Sequence, residues 1–407
     1  MKRCSPILIA AVLFLSTPAG AGQLQILSPG SVGQQLKQDR SLTEAVDSAF
    51  QSYDEWKADF IERTGFNYGI DYNALYYRAS SSPTEEDESS SGVIRFYANW
   101  DLVGRNTPDK GSLVVKLEHR HAFTDVAPVD FGFELGYVGL LHSTFSDQGV
   151  HATNLYWKQL FDNKRILVFA GFMDVTDYVD VHLLASPWTD FSNLVFATGS
   201  GTIGALPDGS LGVMAGGWLN DNLYLSAGIA DANADPAHLF EGFKSFFEDF
   251  ETFKSVELGW TSGRDQFFFN NVHLTLWQVD ARKEAQTPSG WGVAVSTSIT
   301  HHENWMSFIR GGYSHDGNAL LEGAVSLGAA HYLQSRKDVF GIAVNWGRPN
   351  HFDYSDARDQ WTLESYYLFQ LGKHLQVTPN LQVLLHPALS TERDSNVIVG
   401  VRARVVF

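Results

Sequence analysis

Cysteine is almost absent from this 407-residue chain, whose one thiol belongs to Cys4. Cys4 lies beside Lys2 and Arg3, ahead of an apolar run over residues 7–15 and a group of small residues. This pattern is typical of a secretory signal peptide, which we predict over residues 1–21. The mature chain would then contain no thiol, which excludes disulfides and cysteine chemistry.

Long hydrophobic runs and positive charge are also scarce. No later segment has the roughly eighteen uncharged apolar residues of a membrane-spanning helix. The chain has 29 basic and 46 acidic residues and a net charge of −17, which argues against nucleic acid as a partner. In contrast, glycine (36), phenylalanine (28), tyrosine (15) and tryptophan (11) are plentiful. Glycine and aromatic residues suit the strands and interfaces of a membrane β-barrel.

The C-terminal segment alternates strictly between apolar and polar positions. Every second residue is apolar, namely Val397, Val399, Val401, Ala403 and Val405. The positions between them include Gly400, Arg402 and Arg404, and the chain ends in Phe407. Alternate side chains of a strand point to opposite faces, so one face can meet lipid and the other water. A strand of about ten residues with an aromatic end is the unit of a bacterial outer-membrane barrel. We therefore predict an all-β fold, a transmembrane antiparallel β-barrel.

The same alternation recurs along the chain and predicts about seventeen strands, one of them at the C-terminus. The others lie near 66–74, 94–102, 113–120, 131–137, 152–160, 164–173, 210–219, 222–231, 253–261, 269–280, 290–299, 306–314, 319–332, 338–347, 361–372 and 375–387. A bacterial single-chain barrel needs an even strand number, so one of these segments is wrong or one is missing. This pattern is compatible with either sixteen or eighteen strands. Residues 65–407 are predicted to form one outer-membrane β-barrel domain.

Residues 22–64 precede the barrel and are predicted to form an N-terminal periplasmic segment. Apolar residues over 36–62 fall near a 3.6-residue period, which predicts an amphipathic helix. Ser41 and Glu44 fit a capping box at its start. The segment is too short for the plug domain of a TonB-dependent transporter.

Three stretches interrupt the alternation. Residues 80–91 are rich in serine and acidic residues, and we predict an exposed hairpin loop, with divalent-cation binding as an open alternative. Residues 237–253 combine phenylalanines with acidic residues and predict a short amphipathic helix on the barrel rim. Residues 174–209 contain many turn-forming residues, and a loop of this length in a compact domain usually has a function.

Charged and aromatic residues at water-facing positions are the candidate pore lining. From the predicted strands and from residues 174–209 we select Arg95, Lys116, Glu118, Arg120, Glu134, Asp174, Asp177, Trp188, Glu364, Arg402 and Arg404. A sugar offers hydroxyls and flat C–H faces, so a selective channel needs mixed charges and aromatic rings. Lys116, Glu118 and Arg120 share one strand face and mix both signs, unlike the lining of an anion channel. The alternative is that these charges only pair with one another, and that the aspartates cap the loop.

Residues 356–407 contain a series of motifs typical of one porin family. They include Glu364-Ser365-Tyr366-Tyr367, Thr378-Pro379-Asn380-Leu381-Gln382, His386-Pro387 and a last strand ending in Phe407. In these motifs the chain resembles the carbohydrate-selective, OprB-type porins, and the resemblance extends upstream through 155–159, 171–178 and 311–313. The resemblance implies a sixteen-stranded barrel whose third external loop, residues 174–209, folds inward to narrow the pore. Residues 186–190 and 199–201 depart from the Asn-rich, apolar middle that is usual in that loop.

The resemblance also implies a function, a location and partners. We expect a passive porin for small sugars in the outer membrane of a Gram-negative bacterium, with no cofactor, no metal and no catalysis. The expected partners are small carbohydrates, outer-membrane lipid and lipopolysaccharide, and the barrel-assembly machinery, which would bind the C-terminal strand. A homotrimer is an open alternative to a monomer. A general or organic-acid porin and a closed structural or adhesion barrel are the alternative functions.

Overall fold

The strands close into one antiparallel barrel. The computed structural model describes residues 26–37, 44–302, 304–333, 337–390 and 392–407. Each strand pairs with its neighbours in sequence, and the first strand pairs with the last. Because the sheet has no free edge, the strands satisfy one another's backbone hydrogen bonds. The predicted fold is confirmed, and the strand number is sixteen in the described parts of the chain.

Strand positions follow the alternating pattern, but the second strand begins at Glu88, inside the loop predicted over residues 80–91. The strands are β1 Phe66–Ala79, β2 Glu88–Val103, β3 Gly111–Ala122, β4 Gly149–Phe161, β5 Ile166–Met173, β6 Ser210–Trp218, β7 Leu223–Asp231, β8 Thr252–Thr261, β9 Asn271–Val279, β10 Gly290–His301, β11 Trp305–Asp316, β12 Leu321–Leu333, β13 Asp338–Pro349, β14 Gln360–Gln370, β15 Leu375–Leu385 and β16 Ser395–Val406. Short turns connect them at one end of the barrel, and longer loops, such as 123–148 and 174–209, connect them at the other.

The predicted strand over 131–137 is wrong. Its start forms a one-turn helix, Phe131–Glu134, within the loop between β3 and β4. Phe131, Leu135 and Tyr137 are all buried in one cluster with lumen-facing residues of the wall. Because the barrel encloses this loop, its apolar residues are buried without pairing to a neighbouring strand. Alternation alone does not distinguish the two cases.

Helices occupy the N-terminal region. In chain order they are α1, Val32–Gln35, and α2, Glu44–Thr64, so α2 begins later than the predicted start at residue 36. Gly65, at φ +70°, ends α2 in the left-handed conformation that favours glycine. The predicted signal peptide and the capping residue Ser41 lie outside the described residues.

Helix α2 contacts the short-turn end of the barrel. Lys57 Nζ donates to the carbonyl oxygen of Phe407 at 3.0 Å, and the Phe50 ring lies 5.9 Å from the Phe407 ring. These contacts place α2 next to the seam where β1 and β16 meet. No helix in the described parts of the chain is long and apolar enough to cross a membrane.

The loop between β7 and β8 contains two short helical turns. They are α-helix Glu241–Lys244 and a π-helical turn, Ser245–Asp249. Phe240 and Phe247 are 73% and 71% exposed, so the segment presents aromatic rings at the long-loop end. The helix is shorter than the one predicted over 237–253, because the chain has already entered β8 at Thr252.

The two faces of the wall differ as the sequence alternation predicts. On β16, Val399 and Val401 are 58% and 42% exposed, whereas Arg402 and Arg404 are each 2% exposed. Exposed tryptophans lie near both ends of the outer face: Trp100, Trp260 and Trp305 at the short-turn end, and Trp291 and Trp361 at the long-loop end. An apolar outer belt with aromatic residues at both ends fits a lipid bilayer.

Three chain segments occupy the lumen. The inward loop (residues 174–209) folds into the barrel as predicted, and the loop over 123–148 packs beside it. The N-terminal segment (residues 26–37) also lies inside, among lumen-facing residues of β2 to β6. The sequence predicts one periplasmic segment over residues 22–64, and the described residues 26–37 of that segment lie within the lumen. The protein's apolar core is therefore inside the barrel, where loops and wall meet.

Candidate functional site

Strand β3 presents three charged side chains in a row to the lumen. Lys116, Glu118 and Arg120 alternate with outward-facing residues, and all three are buried. Arg120 donates to Glu118 Oε2 from Nε at 2.9 Å and from Nη2 at 2.6 Å. Both donors meet the same carboxylate oxygen, and charge-assisted hydrogen bonds of this kind are short and strong.

The inward loop brings carboxylates up to these charges. The two ends of the loop are joined where Val175 N donates to Pro207 O at 3.1 Å. This contact places Asp174 and Asp208 on the same side of the lumen as β3. Lys116 Nζ lies 3.2 Å from Asp174 Oδ2, and Arg120 Nη2 lies 3.4 Å from Asp208 Oδ2.

Between β3 and the inward loop lies a cavity of about 230 Å³, which we call the eyelet. Charged and aromatic side chains from the wall and the inward loop line it, together with residues of the N-terminal segment and of loop 123–148. They include Ser28, Gly30, Lys116, Glu118, Arg120, Leu140, Ser143, Thr144, Asp174, Asp177, Trp188 and Asp208. The eyelet therefore offers hydrogen-bond donors, acceptors and an aromatic ring within one small volume.

Negative charge predominates in the eyelet when all of its groups are ionised. Two cations, Lys116 and Arg120, face four carboxylates, those of Glu118, Asp174, Asp177 and Asp208. Burial, together with the nearby Asp174 carboxylate, raises the pKa of Asp208 to about 7. Burial raises the pKa of Asp177 to about 7 as well, because repulsion from Asp174 adds to it and attraction to Lys116 only partly offsets it.

Trp188 joins the eyelet to a second charge cluster. The Arg95 guanidinium lies over the Trp188 ring, 3.6 Å from its centroid, in a cation–π contact. Arg95 Nε also donates to Asp71 Oδ1 at 2.8 Å, and Arg404 Nη2 donates to Asp71 Oδ2 at 2.8 Å. Arg95 and Arg404 thus neutralise Asp71 in the wall, and Arg95 supports the ring of Trp188 from behind the eyelet.

Glu364 and Arg402 hold the inward loop against the far wall. Glu364 accepts hydrogen bonds from the backbone N–H groups of Ser192 at 2.7 Å and Asn193 at 3.0 Å. Arg402 Nη1 donates to Pro187 O at 2.7 Å. Both side chains were predicted as pore lining. In the structure they form hydrogen bonds to backbone groups of the inward loop and do not line the eyelet.

Glu134 is separate from these groups. It lies in the loop between β3 and β4, in a cavity at the long-loop end that Pro83 and Arg393 also line. The structure therefore brings Lys116, Glu118, Arg120, Asp174, Asp177 and Trp188 together at the eyelet, and leaves Arg95, Glu134, Glu364, Arg402 and Arg404 outside it.

Several important residues carried no recognisable signal in the sequence. Asp208 follows a turn-rich stretch with no alternation, and Ser28 and Gly30 lie in a segment that looked peripheral. At the start of the inward loop the sequence leaves loop capping and sugar contact both open for Asp180, whereas in the structure its carboxylate pairs with Arg310 and lies 2.9 Å from His273 Nε2. In its predicted strand Arg310 occupies a position that faces the lumen, and this signal could have identified Arg310 as an anchor of the inward loop.

Comparison with known proteins gives a consistent result. The family model described as "Carbohydrate-selective porin, OprB family" matches residues 60–340 and 264–407. No curated protein matches the chain. The high-pH structure of Pseudomonas putida OprB is similar, with TM-score 0.68 and 13% identity over 87% of this chain and 97% of that one.

Two further solved structures share the fold. The low-pH structure of Pseudomonas putida OprB has TM-score 0.50 and 12% identity, over 91% of this chain and 100% of that one. A mutant of Rh. blastica porin has TM-score 0.51 and 10% identity, over 84% of this chain and 100% of that one. At such identities the structural likeness establishes the barrel fold, and the family match is what bears on function.

Proposed function

Since the chain belongs to the OprB family of carbohydrate-selective porins, we propose that small neutral sugars diffuse passively through its eyelet. The observation that carries the proposal is the pairing of Lys116 with Asp174, and of Arg120 with Glu118 and Asp208, around one cavity beside Trp188. Sugar hydroxyls both donate and accept hydrogen bonds, and their C–H faces pack on aromatic rings. Binding to such a site stays weak enough for release, as conduction requires.

The charge of the eyelet favours neutral sugars over organic acids. Four carboxylates against two cations repel an anion when they are ionised, and they leave the hydrogen bonding of a neutral solute intact. An anion channel would instead present basic residues without nearby carboxylates. We therefore place organic anions among the solutes that this channel conducts poorly.

The location and partners follow from the barrel and the family. The protein is a bacterial outer-membrane protein of a family of channels. We propose that the membrane is that of a Gram-negative cell, that the short-turn end with α2 is periplasmic, and that lipid and lipopolysaccharide surround the apolar belt. Recognition of the C-terminal strand by the barrel-assembly machinery and assembly into a homotrimer are further parts of the proposal. We propose no catalytic role for any residue.

Liposome swelling with purified protein tests the role of the eyelet. Arg120→Ala and Glu118→Ala remove one member of the short ion pair, and each lost hydrogen bond to a sugar is worth about 0.5–1.5 kcal/mol. We expect the rates for glucose and maltose to change about two- to ten-fold in these variants, with little change in the heat-modifiable folded band.

Arg348→Ala is the matched control, because Arg348 pairs with Asp359 on the exposed surface, 3.2 Å apart. It should leave sugar entry unchanged. If Arg120→Ala and Glu118→Ala instead lose the folded band in proportion to sugar entry, these charges only hold the barrel together. Rates that are equal for sugars and organic anions would favour a general porin.

A further inference from the structure

The N-terminal segment (residues 26–37) is packed into the lumen as firmly as the wall itself. Ile26 is 3% exposed and Val32 is 0% exposed. They belong to one buried cluster with lumen-facing side chains of the wall, namely Tyr97, Val114, Leu160, Leu167 and Met214. Because apolar burial holds it there, the segment is a fixed part of the channel interior.

A glycine in the wall makes room for this segment. Gly216 of β6 faces the lumen, and a Cβ at this position would lie 2.6 Å from Ile26 Cδ1. The next residue, Gly217, faces outward by alternation, and a Cβ there would first meet Arg165 O at 3.1 Å. A Cβ at 216 therefore meets the tip of the Ile26 side chain, and a large side chain there presses on the segment, whereas one at 217 does not reach it.

The segment reaches both the inward loop and the eyelet. Ser28 N donates to the carbonyl oxygen of Asp177 at 2.8 Å, and Gly30 N donates to Ser28 Oγ at 3.1 Å. Ser28 and Gly30 line the eyelet together with Asp177. Their backbone thus supports the turn that carries Asp177 and occupies lumen space that would otherwise belong to the pore.

We propose that the N-terminal segment is a built-in lumen plug that forms one wall of the eyelet and sets the largest sugar that passes. The proposal rests on the proposed function, because a size limit has meaning only in a conducting channel. The barrel wall fixes the outer diameter, and the lumen segments determine the remaining width. β3 and the inward loop contribute the charges, and Ser28 and Gly30 contribute a small, neutral surface beside them.

Deletion of residues 26–37, with the signal peptide and α2 retained, removes the plug. We expect single-channel conductance to rise by at least about two-fold, and maltooligosaccharides that the intact protein excludes to enter liposomes. Unchanged conductance and an unchanged size limit, in protein that keeps its heat-modifiable folded band, would overturn the proposal.

Cysteine labelling tests the position of the segment without deleting it, since Cys4 is the chain's one cysteine. Modification of Ser28→Cys by a methanethiosulfonate reagent should lower conductance, because the adduct occupies the eyelet. Val32→Cys is the buried control and should not react. The block should disappear when Ser28→Cys is combined with Gly216→Leu and persist with Gly217→Leu. A Ser28→Cys channel that the reagent leaves unaltered would contradict the proposal.

The two proposals fail in different ways. If the intact channel shows no block by sugar but the deletion still raises conductance, sugar selectivity is wrong and the plug stands. If sugar blocks the intact channel and the deletion changes neither conductance nor size limit, the plug is wrong and sugar selectivity stands.

Discussion

At the scale of single residues, the side chains of the lumen fall into two groups with different roles. Arg95, Arg404 and Asp71 pair within the wall, where water does not reach them. Arg120 and Lys116 instead pair across a cavity, where a solute can compete for the same hydrogen bonds. Buried pairs contribute little net stability but are costly to break, so the first group fixes the wall and the second is free to act on solutes.

The raised pKa values of Asp177 and Asp208 predict a pH-dependent ion preference. Both carboxyls ionise only as the pH rises through about 7. Above that pH the four carboxylates outnumber the two cations, Lys116 and Arg120, and the eyelet is negative. Below it, protons on Asp177 and Asp208 remove this excess of negative charge. We expect the K⁺/Cl⁻ permeability ratio, from reversal potentials in a salt gradient, to increase with pH around 7.

Asp208→Asn should lower that ratio at high pH and flatten its pH dependence. Glu85→Gln, in the exposed loop between β1 and β2, is the control and should leave the curve unchanged. A ratio that stays constant between about pH 5 and about pH 9, the range over which such carboxyls titrate, would contradict these ionisations.

At the scale of elements, the inward loop depends on contacts that reach across the barrel. Ser192 and Asn193 meet Glu364, which is 172 and 171 residues away in sequence. Arg402 adds donations to Pro187 O at 2.7 Å and Asp190 O at 3.0 Å. A loop tied to the far wall at such points keeps the eyelet at a constant width.

Arg402→Met should therefore release the inward loop and change conduction more than folding. We expect noisier and larger single-channel currents, with a loss of about 1–3 kcal/mol in unfolding free energy for the lost charged hydrogen bonds. Arg404→Met is the matched control on the same strand and face, since Arg404 contacts Asp71. If the two variants give the same currents, Arg402 is not a tether of the loop.

The same contacts show what the sequence could predict. Alternation located all sixteen strands of the described parts of the chain, because one face meets lipid and the other the lumen. It failed over 131–137, where an enclosed loop buries its apolar residues as a strand would. Alternation predicts correctly that Glu364 and Arg402 face the lumen. It does not predict their partners, because contacts across a closed barrel leave no local signal in the sequence. The placement of residues 26–37 was missed for the same reason.

At the scale of the whole molecule, the barrel closes where its first and last strands meet. Ile70 N donates to Phe407 O at 3.2 Å, and Phe407 N donates to Ile70 O at 2.7 Å. The Phe50 ring of α2 lies against the Phe407 ring, so helix, first strand and C-terminus meet at one seam. Closure there removes the last unpaired strand edge.

Deletion of Phe407 should impair assembly of the barrel. The loss removes one pair of backbone hydrogen bonds at the seam and the terminal aromatic residue that we propose the assembly machinery recognises. We expect less heat-modifiable protein in outer-membrane fractions, whereas Phe407→Tyr, which keeps an aromatic end, should assemble normally. Normal amounts of the deletion variant in the membrane would show that the last residue is dispensable.

The central claim, a sugar-selective channel, is tested most directly by single-channel conductance in a planar bilayer. Purified, refolded protein is titrated with glucose, with maltose and with an organic anion, at a pH at which Asp177 and Asp208 are ionised. We predict stepwise channels that the neutral sugars block at millimolar concentrations and the anion does not, because the eyelet hydrogen-bonds hydroxyls and repels negative charge. Channels indifferent to sugar, or no channels from a properly folded barrel, would contradict this account.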